Sequence, residues 1–274
     1  AALAAGVRYL DHDLNRCFGL GALADSRRSS RELLRARQLL ADFGPQGTTP
    51  CAVVIDLHST TAAMGNSLVL YGRRPADLAL AAGIQAQLGL PIYLHEGDPA
   101  QSGFLVERWP CGVVIEVGPV PQGVITATIC HQTALAVEAA LATLAAARDG
   151  SLRLPVALTV HRHLCSLDLP RHSDGRPACC LHPNRQHRDW QPLRLGDSLF
   201  QGADGSTVCF EAEAAGTFGA AMAAGDCAWP VFINEAAYGE KGIALSLTTR
   251  ERWPSSQQWG EALRQQALDL TAAC

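Results

Sequence analysis

The sequence of 274 residues predicts an α/β fold, with a mixed or mostly parallel sheet in its first half and a smaller β-rich part in its second half. Two observations predict this arrangement. Up to residue 150, short apolar runs typical of buried strands alternate with longer helical patterns, as they do in α/β layers. Beyond residue 150, short β-branched or apolar runs follow one another between Gly, Pro and Asp residues. We therefore expect an α/β domain over residues 1–151 and a β-rich domain over residues 152–274.

The elements of the first half begin and end at recognisable signals. Ser29 or Ser30 is suited to cap a helix that runs to about Phe43, and Gly44 and Pro45 end it. Two more helices are predicted at residues 75–88 and 124–147, and buried strands at residues 51–55, 67–71, 91–94 and 112–117.

The second half is predicted to consist of strands with one closing helix. The strands are expected at residues 155–165, 178–181, 198–201, 207–210, 229–233 and 243–248, and an amphipathic helix at residues 255–272. The small residues of 212–225 indicate a flexible loop.

Composition and charge exclude several classes of protein. A net charge of −4 is not that of a polybasic nucleic-acid binder, and 48% hydrophobic residues with 18% charged ones exclude a disordered chain. Apolar runs such as residues 51–55 and 113–115 are far shorter than the roughly 18 residues of a membrane helix. The ten cysteines include no C-x-x-C pair and indicate free thiols in a reducing compartment, so we expect a cytoplasmic protein without nucleic-acid or membrane partners.

Two strands of the first half carry polar residues suited to chemistry. The run Val53-Val-Ile-Asp-Leu-His58 brings Asp56 and His58 to the end of a buried strand, where open α/β sheets place ligands. A neutral imidazole there suits zinc, although from this segment alone a structural histidine is the simpler interpretation. Glu116 interrupts a second apolar strand, and a carboxylate so buried is either a general base or half of a salt bridge.

Two loops carry residues suited to holding an acidic ligand. Arg8, Asn15 and Arg16 lie close together in the chain and are able to grip a carboxylate, or they form a solvated loop with the nearby aspartates. Tyr238 follows a predicted strand of the second half, where its hydroxyl is able to reach a ligand across a cleft.

Other motifs favour simpler interpretations. Gly19-Leu-Gly21 matches a dinucleotide-binding fingerprint but lacks the strand that must precede it. His161 and His163 share one face of a predicted strand, and without neighbouring ligands we expect a surface pair. His95 has no supporting residues nearby in the sequence.

Four segments, in this order, resemble the aspartoacylase and succinylglutamate desuccinylase family, and its aspartoacylase branch more closely. They are Arg-Tyr-Leu-Asp-His-Asp-Leu-Asn-Arg at 8–16, Asp-Leu-His-Ser-Thr-Thr-Ala-Ala-Met-Gly at 56–65, Ile-Glu-Val-Gly-Pro at 115–119 with Pro-Gln-Gly at 121–123, and Asn-Glu-Ala-Ala-Tyr at 234–238.

The resemblance implies a zinc-carboxypeptidase-like catalytic domain with a mixed sheet, followed by a β-rich domain that caps its cleft. It also implies hydrolysis of the amide of an N-acyl amino acid, such as N-acetyl-aspartate, to a carboxylate and aspartate, with a Zn²⁺ cofactor and a possible homo-oligomer.

The resemblance also assigns roles to individual residues. By this resemblance His58 is a zinc ligand, and Glu116 is the general base and touches substrate. Arg8 polarises the scissile carbonyl and binds substrate, and substrate is held further by Asn15, Arg16 and Tyr238. An arginine before the Ile115-Glu116 strand is expected to contact a substrate carboxylate, and Arg108 is the nearest candidate.

One family motif has no counterpart in the sequence. The family takes its other two zinc ligands from a His-x-x-Glu motif that precedes the segment matched by residues 8–16, and no His-x-x-Glu occurs here. We therefore expect the N-terminal part of the catalytic domain to be missing from this sequence. The alternatives to a zinc hydrolase are a metal-free, catalytically inactive carboxylate-binding member and a deacylase of other N-acyl amino acids.

Overall fold

The computed structural model describes residues 2–25, 27–98, 101–211, 216, 226–239 and 241–269. Within these ranges the strands are β1 (Val53–Ser59), β2 (Gly65–Tyr71), β3 (Ile92–His95), β4 (Cys111–Gly118), β5 (Ala157–Leu167), β6 (Cys179–Leu181), β7 (Ser198–Gly202), β8 (Thr207–Cys209), β9 (Trp229–Val231) and β10 (Leu245–Pro254). The α-helices are α1 (Ala2–Ala5), α2 (Leu20–Ala24), α3 (Arg31–Phe43), α4 (Pro75–Leu88), α5 (Ala127–Arg148), α6 (Ala236–Gly239) and α7 (Gln257–Asp269). Short 3-10 helices lie at Leu14–Arg16 and Leu105–Arg108.

The helices begin and end where the sequence signals predict. The Ser30 hydroxyl accepts a hydrogen bond from the Leu33 nitrogen at 3.3 Å and caps α3. Helix α4 begins with Pro75 and ends at Gly89, whose φ of 68° is the left-handed conformation that glycine adopts most readily. Residues 2–18 contain no strand before Gly19, which caps only the short α2, so the strand that a dinucleotide-binding fingerprint requires does not precede these glycines.

Seven strands form one mixed sheet in the order β1-β4-β2-β3-β5-β10-β9. Strand β4 runs parallel to β1 and antiparallel to β2, whereas β5 runs parallel to β3 and antiparallel to β10. The predicted α/β class with a mixed sheet is therefore confirmed. Strands β6, β7 and β8 form a second, three-stranded antiparallel sheet.

The main sheet includes strands from both halves of the sequence. Because β5, β9 and β10 follow residue 151 and still join the sheet begun by β1, backbone hydrogen bonds cross the predicted domain boundary. The boundary at residue 151 stays a prediction, and the second half contributes both to the main sheet and to the small one.

One face of the main sheet is covered by α4, α5 and α7. Alternate residues of β1 and β4, such as Val53, Ile55, Val113 and Ile115, point to these helices and share one apolar cluster with them. Helix α5 is, among the described helices, the one that is long and apolar enough to cross a membrane by length and composition. Its buried alanines belong to the same apolar cluster.

One expectation for the second half is wrong, and another is not tested. His161 and His163 are not a surface pair, since both are about 6% exposed. Their face of β5 is covered by aromatic residues, with Trp190 and Trp229 beside His161 and Tyr93 beside His163. The predicted loop over residues 212–225 lies, except for Gly216, outside the described residues.

Candidate functional site

The site begins with the register of two neighbouring strands. In the parallel pair of β1 and β4, His58 lies directly opposite Glu116. Since successive side chains of a strand point to opposite faces, Asp56, His58 and Glu116 point away from the face that α4 and α5 cover. The sequence predicted a strand at residues 51–55 that ends just before Asp56 and His58. In the structure β1 continues to Ser59, so both residues lie inside the strand.

The imidazole of His58 lies between two carboxylates. Its Nε2 is 2.9 Å from Oδ2 of Asp56, and its Nδ1 is 3.8 Å from Oε2 of Glu116. The same Nε2 is 3.3 Å from the side-chain nitrogen of Asn15. Burial by itself lowers the pKa of His58, but the hydrogen bond to Asp56 and the charges of Glu116 and Asp56 outweigh it and raise this pKa.

Glu116 is a buried carboxyl group in the centre of the site, with 7% of the residue exposed. Burial raises the pKa of Glu116 to about 7; His58 acts in the opposite direction, and the charges of Glu235 and Asp56 add to the rise. A carboxyl group that titrates near neutral pH is suited to accept a proton and return it.

The loop before α2 brings two arginines and an asparagine to this site. Arg8 forms a salt bridge with Asp13 at 3.0 Å. The guanidinium of Arg16 donates hydrogen bonds to the Asn15 carbonyl at 3.0 Å and to the Gln101 side chain at 3.3 Å. Asn15 is buried, and its side-chain oxygen accepts a hydrogen bond from the Leu105 nitrogen at 2.8 Å, which anchors the loop to the chain before β4.

The second half contributes Tyr238 and a residue that the sequence analysis missed, Glu235. Oε2 of Glu235 accepts hydrogen bonds from the hydroxyls of Thr60 and Thr61 and from the backbone nitrogens of Thr61 and Ala62. Burial alone raises the pKa of Glu235, but these hydrogen bonds outweigh it and hold this pKa below its usual value. The pair Asn234-Glu235 stands just before Tyr238 in the sequence, but nothing in its pattern indicated a contact with residues 60–62.

The predicted site residues all line one narrow cavity of about 30 Å³, room for little more than one water molecule. These are Arg8, Asn15, Arg16, His58, Glu116 and Tyr238. The same cavity has an aromatic part that the sequence analysis did not identify: Tyr71, Tyr93, His95, Phe104 and Phe232. Arg108, the candidate for a further substrate arginine, is not part of this lining.

The described residues do not complete a catalytic zinc site. His58 supplies one imidazole, and its Nε2 is already hydrogen-bonded to Asp56. No group of three or more His, Cys, Asp or Glu side chains within the described ranges is arranged to hold a metal ion. A catalytic zinc takes about three protein ligands, so these residues alone do not fit it.

Comparison with known proteins agrees with the motifs. Residues 1–144 match the model of the succinylglutamate desuccinylase/aspartoacylase catalytic domain, and residues 156–250 match that of the AstE/AspA barrel-sandwich hybrid domain. The chain belongs to this family. Among its relatives, a "probable aspartoacylase" of Prochlorococcus marinus (strain MIT 9313) is 58% identical over 96% of this chain and 83% of its own length. A "probable aspartoacylase" of Parasynechococcus marenigrum (strain WH8102) is 56% identical over the same shares.

Solved structures of the family support the fold. The crystal structure of murine aminoacylase 3 superposes with a TM-score of 0.78 and 33% identity, covering 93% of this chain and 82% of that one. The predicted zinc-carboxypeptidase-like fold, a mixed-sheet domain followed by a β-rich one, is thus confirmed for this aspartoacylase-family chain.

Proposed function

We propose that the protein hydrolyses the amide bond of an N-acyl amino acid and releases a carboxylate and an amino acid. The observation that carries this proposal is the position of Glu116. It is a buried carboxyl group with a pKa of about 7, in one cavity with the two arginines Arg8 and Arg16. The names of the relatives, aspartoacylase and aminoacylase, support the same reaction.

Each polar residue has a distinct task in this reaction. Arg16 and Asn15 hold the substrate carboxylate, since a guanidinium and an amide offer matched donors to its oxygens. Arg8 polarises the scissile carbonyl and stabilises the negative charge that develops on its oxygen. Tyr238 remains a neutral phenol that donates to the substrate, because burial raises its pKa.

Glu116 transfers the proton that the reaction requires. It takes a proton from the attacking water as the water oxygen bonds to the acyl carbon. It then delivers that proton to the leaving nitrogen as the carbon–nitrogen bond breaks. The buried site keeps other water away from these steps, which strengthens the charge interactions of Arg8 and Glu116.

Zinc dependence and the identity of the substrate are finer parts of the proposal. We propose His58 as one zinc ligand and expect the others outside the described residues, so no step above is assigned to the metal. Sequencing of the DNA upstream of Ala1 tests this expectation. A His-x-x-Glu motif encoded there in the same reading frame supports it, and a stop codon there contradicts it. N-acetyl-aspartate is the substrate that the aspartoacylase name favours, and derivatives of other amino acids are the alternative.

The central test replaces the proposed base. Glu116→Gln keeps the shape of the side chain but removes the proton acceptor, so we expect kcat for N-acetyl amino acids to fall by at least about 100-fold. Substrate binding, followed by calorimetry, should change little. Glu138→Gln on the exposed surface of α5 is the matched control and should keep full activity. Undiminished hydrolysis by the Glu116 variant contradicts the proposal.

A second candidate function follows from the incomplete ligand set. A metal-free member of the family binds the same N-acyl amino acids through Arg16 and Asn15 without turning them over. Metal analysis and an activity assay separate the two functions when the expressed protein includes any residues encoded upstream of Ala1 in the same reading frame. Stoichiometric zinc together with hydrolysis contradicts the binding function, whereas tight binding without zinc and without hydrolysis supports it.

A further inference from the structure

The two arginines that line the narrow cavity have partners of different charge. The guanidinium of Arg8 forms a salt bridge with the carboxylate of Asp13 at 3.0 Å. Arg16 forms no ion pair within 4.0 Å to the described residues, and its hydrogen bonds go to the neutral oxygens of Asn15 and Gln101. A neutral acceptor orients a guanidinium without placing a negative charge beside it. Arg16 is therefore the arginine that is better able to attract the carboxylate of a ligand.

Gln101 holds the end of the Arg16 side chain. Its side-chain oxygen accepts a hydrogen bond from Nη2 of Arg16 at 3.3 Å. Gln101 is only 6% exposed and lies 85 residues from Arg16 in the chain, so the contact joins two distant segments inside the protein. The Phe104 ring adds a second contact, with its centre 4.0 Å from the guanidinium carbon. The guanidinium is thus restricted by one hydrogen bond and one aromatic ring.

Gln101 is itself held by the buried imidazole of His95. Nε2 of His95 is 3.2 Å from the backbone oxygen of Gln101, and Nδ1 is 3.1 Å from the hydroxyl of Tyr93. Because a carbonyl oxygen only accepts, the hydrogen of the neutral ring is on Nε2, and Nδ1 accepts from the Tyr93 hydroxyl. Burial lowers the pKa of His95 to about 4, so the ring is neutral near pH 7. A chain of hydrogen bonds thus leads from Tyr93 on β3 through His95 to Gln101, and from there to the guanidinium.

Residues 101–105 are also tied to the Arg16 loop through the backbone. The Gly103 oxygen accepts a hydrogen bond from the Phe18 nitrogen at 3.0 Å. Gly103 has a φ of 84°, which glycine adopts readily, and a Cβ atom there would lie 2.9 Å from the Arg16 carbonyl oxygen. The absence of a side chain at Gly103 therefore allows the two segments to approach closely, and the segment forms a fixed support for Arg16.

We propose that Gln101 and His95 are positioning residues for carboxylate binding, which hold the Arg16 guanidinium at the narrow cavity without neutralising its charge. This role rests on the proposed function, in which Arg16 holds the carboxylate of an N-acyl amino acid. The orientation of Arg16 in the ligand-free protein does not depend on that function, so it is measured separately.

The mobility of the Arg16 side chain in the ligand-free protein is the first test. Nitrogen-15 relaxation measures the order parameter of its Nε–H bond, and the signal is identified by its loss in Arg16→Lys protein. Gln101→Met keeps the length of the side chain and removes the acceptor, so we expect a lower order parameter for Arg16. An unchanged order parameter in folded Gln101→Met protein overturns the proposal, whether or not the protein is a hydrolase.

Binding of a charged ligand and its neutral analogue is the second test. Titrations followed by nuclear magnetic resonance compare N-acetylglycine with N-acetylglycinamide, which has nearly the same shape but no carboxylate. Gln101→Glu gives Arg16 an ion-pair partner, so the affinity for N-acetylglycine should fall by at least about tenfold, while that for the amide should change by less than about twofold. Gln258→Glu, at an exposed position of α7, is the control and should alter neither affinity.

The pattern of affinities separates positioning from a general structural role. Equal losses for the two ligands in Gln101→Glu protein, or no loss for N-acetylglycine, overturn the proposal and leave amide hydrolysis intact. A parent protein that binds neither ligand contradicts the proposed function, and the mobility of Arg16 then still decides whether Gln101 positions it.

Variants of His95 test the step behind Gln101. His95→Phe keeps a ring beside Tyr71 and Phe104 but loses the donor to the Gln101 oxygen, so the dissociation constant of N-acetylglycine should rise by about three- to tenfold. His95→Gln places an amide nitrogen close to the position of Nε2 and should restore most of that affinity. If folded His95→Gln protein binds N-acetylglycine no more tightly than His95→Phe protein, His95 does not act through Gln101 and its part of the proposal is wrong.

Discussion

The carboxylate of Glu235 lies 2.7 Å from the backbone nitrogen of Thr61, although 174 residues separate the two in the chain. Through this contact the segment that leads into α6, the helix that carries Tyr238, is joined to the loop that follows β1. A second hydrogen bond joins the same two segments, because the Thr61 hydroxyl accepts from the Ala236 nitrogen at 2.8 Å. The two sides of the narrow cavity are thus held together by one buried carboxylate.

Glu235→Ala should therefore destabilise the protein and weaken substrate binding. Loss of a buried charged acceptor leaves the hydroxyls of Thr60 and Thr61 and the Thr61 nitrogen without their acceptor, which costs on the order of 3 kcal/mol of unfolding free energy. Urea unfolding measures this loss, and calorimetry with an N-acetyl amino acid measures the weaker binding. Thr61→Ser keeps the hydroxyl and is the control, with an expected change below about 1 kcal/mol. Normal stability of Glu235→Ala would show that the contact is dispensable.

Arg16→Lys should weaken substrate binding without affecting folding. Lysine keeps the positive charge but loses the planar fork that binds a carboxylate through two bonds, and it loses the guanidinium that lies 4.0 Å from the Phe104 ring centre. We expect the dissociation constant of an N-acetyl amino acid to rise by about 10- to 100-fold. Arg27→Lys, whose side chain is 90% exposed, is the control. A dissociation constant within twofold of the parent protein would remove Arg16 from the substrate site.

The strands, and the polar residues within them, were predictable from the sequence because both depend on the local pattern of apolar and polar residues. A carboxylate in the apolar run of β4 and a histidine in that of β1 both stand out against their neighbours. Their contact was not predictable, because it depends on β4 inserting between β1 and β2 with His58 opposite Glu116. The order of the strands depends on the packing of the whole sheet. It therefore cannot be predicted from any short stretch of the sequence.

The burial of His161 and the aromatic part of the narrow cavity were not predicted, for a related reason. Because side chains alternate between the two faces of a strand, the sequence correctly places His161 and His163 on one face of β5. The rings that cover this face come from distant segments, Trp190 and Trp229 among them. Phe104 lies in a loop without periodicity, so its approach to Arg16 had no local signal.

Gly83→Ala should destabilise the helical layer that supports the sheet. A methyl group on Gly83 of α4 would lie 2.3 Å from Cγ2 of Thr143 on α5, far inside van der Waals contact. Thr143 is fully buried and hydrogen-bonded to Gln87, so it has little freedom to move away. We expect a loss of about 1–3 kcal/mol in urea unfolding. Adding Thr143→Ser, which removes the clashing methyl group but keeps the hydroxyl, should restore part of that loss. Additive effects of the two substitutions would contradict the clash.

His95 and His161 should each reduce the stability of the fold as the pH falls from about 6.5 to about 4, because their buried imidazoles must then take up protons, whereas Glu116 and Asp189, whose pKa values are raised to about 7 and about 6, act in the opposite direction. Burial lowers the pKa of His95 and that of His161 to about 4. The unfolded chain binds these protons at its ordinary histidine pKa near 6.5 and the folded chain does not, so protonation favours unfolding throughout this range. The stabilisation is fully present above pH 6.5 and is lost as the pH falls towards 4, by about 2–3 kcal/mol for each imidazole.

His161→Phe should remove the contribution of one imidazole to the pH dependence of the unfolding free energy. The phenyl ring keeps the edge contact that His161 makes with Trp190, and the Thr248 hydroxyl keeps its bond to the Trp229 carbonyl at 2.7 Å. The variant should therefore be about as stable as the parent at pH 7 and more stable than the parent at pH 4.5, as measured by urea unfolding at both values. His131→Gln, at an exposed position of α5, should leave the slope unchanged. If His161→Phe shows the parent's slope, His161 takes up its proton in the folded state as readily as in the unfolded one.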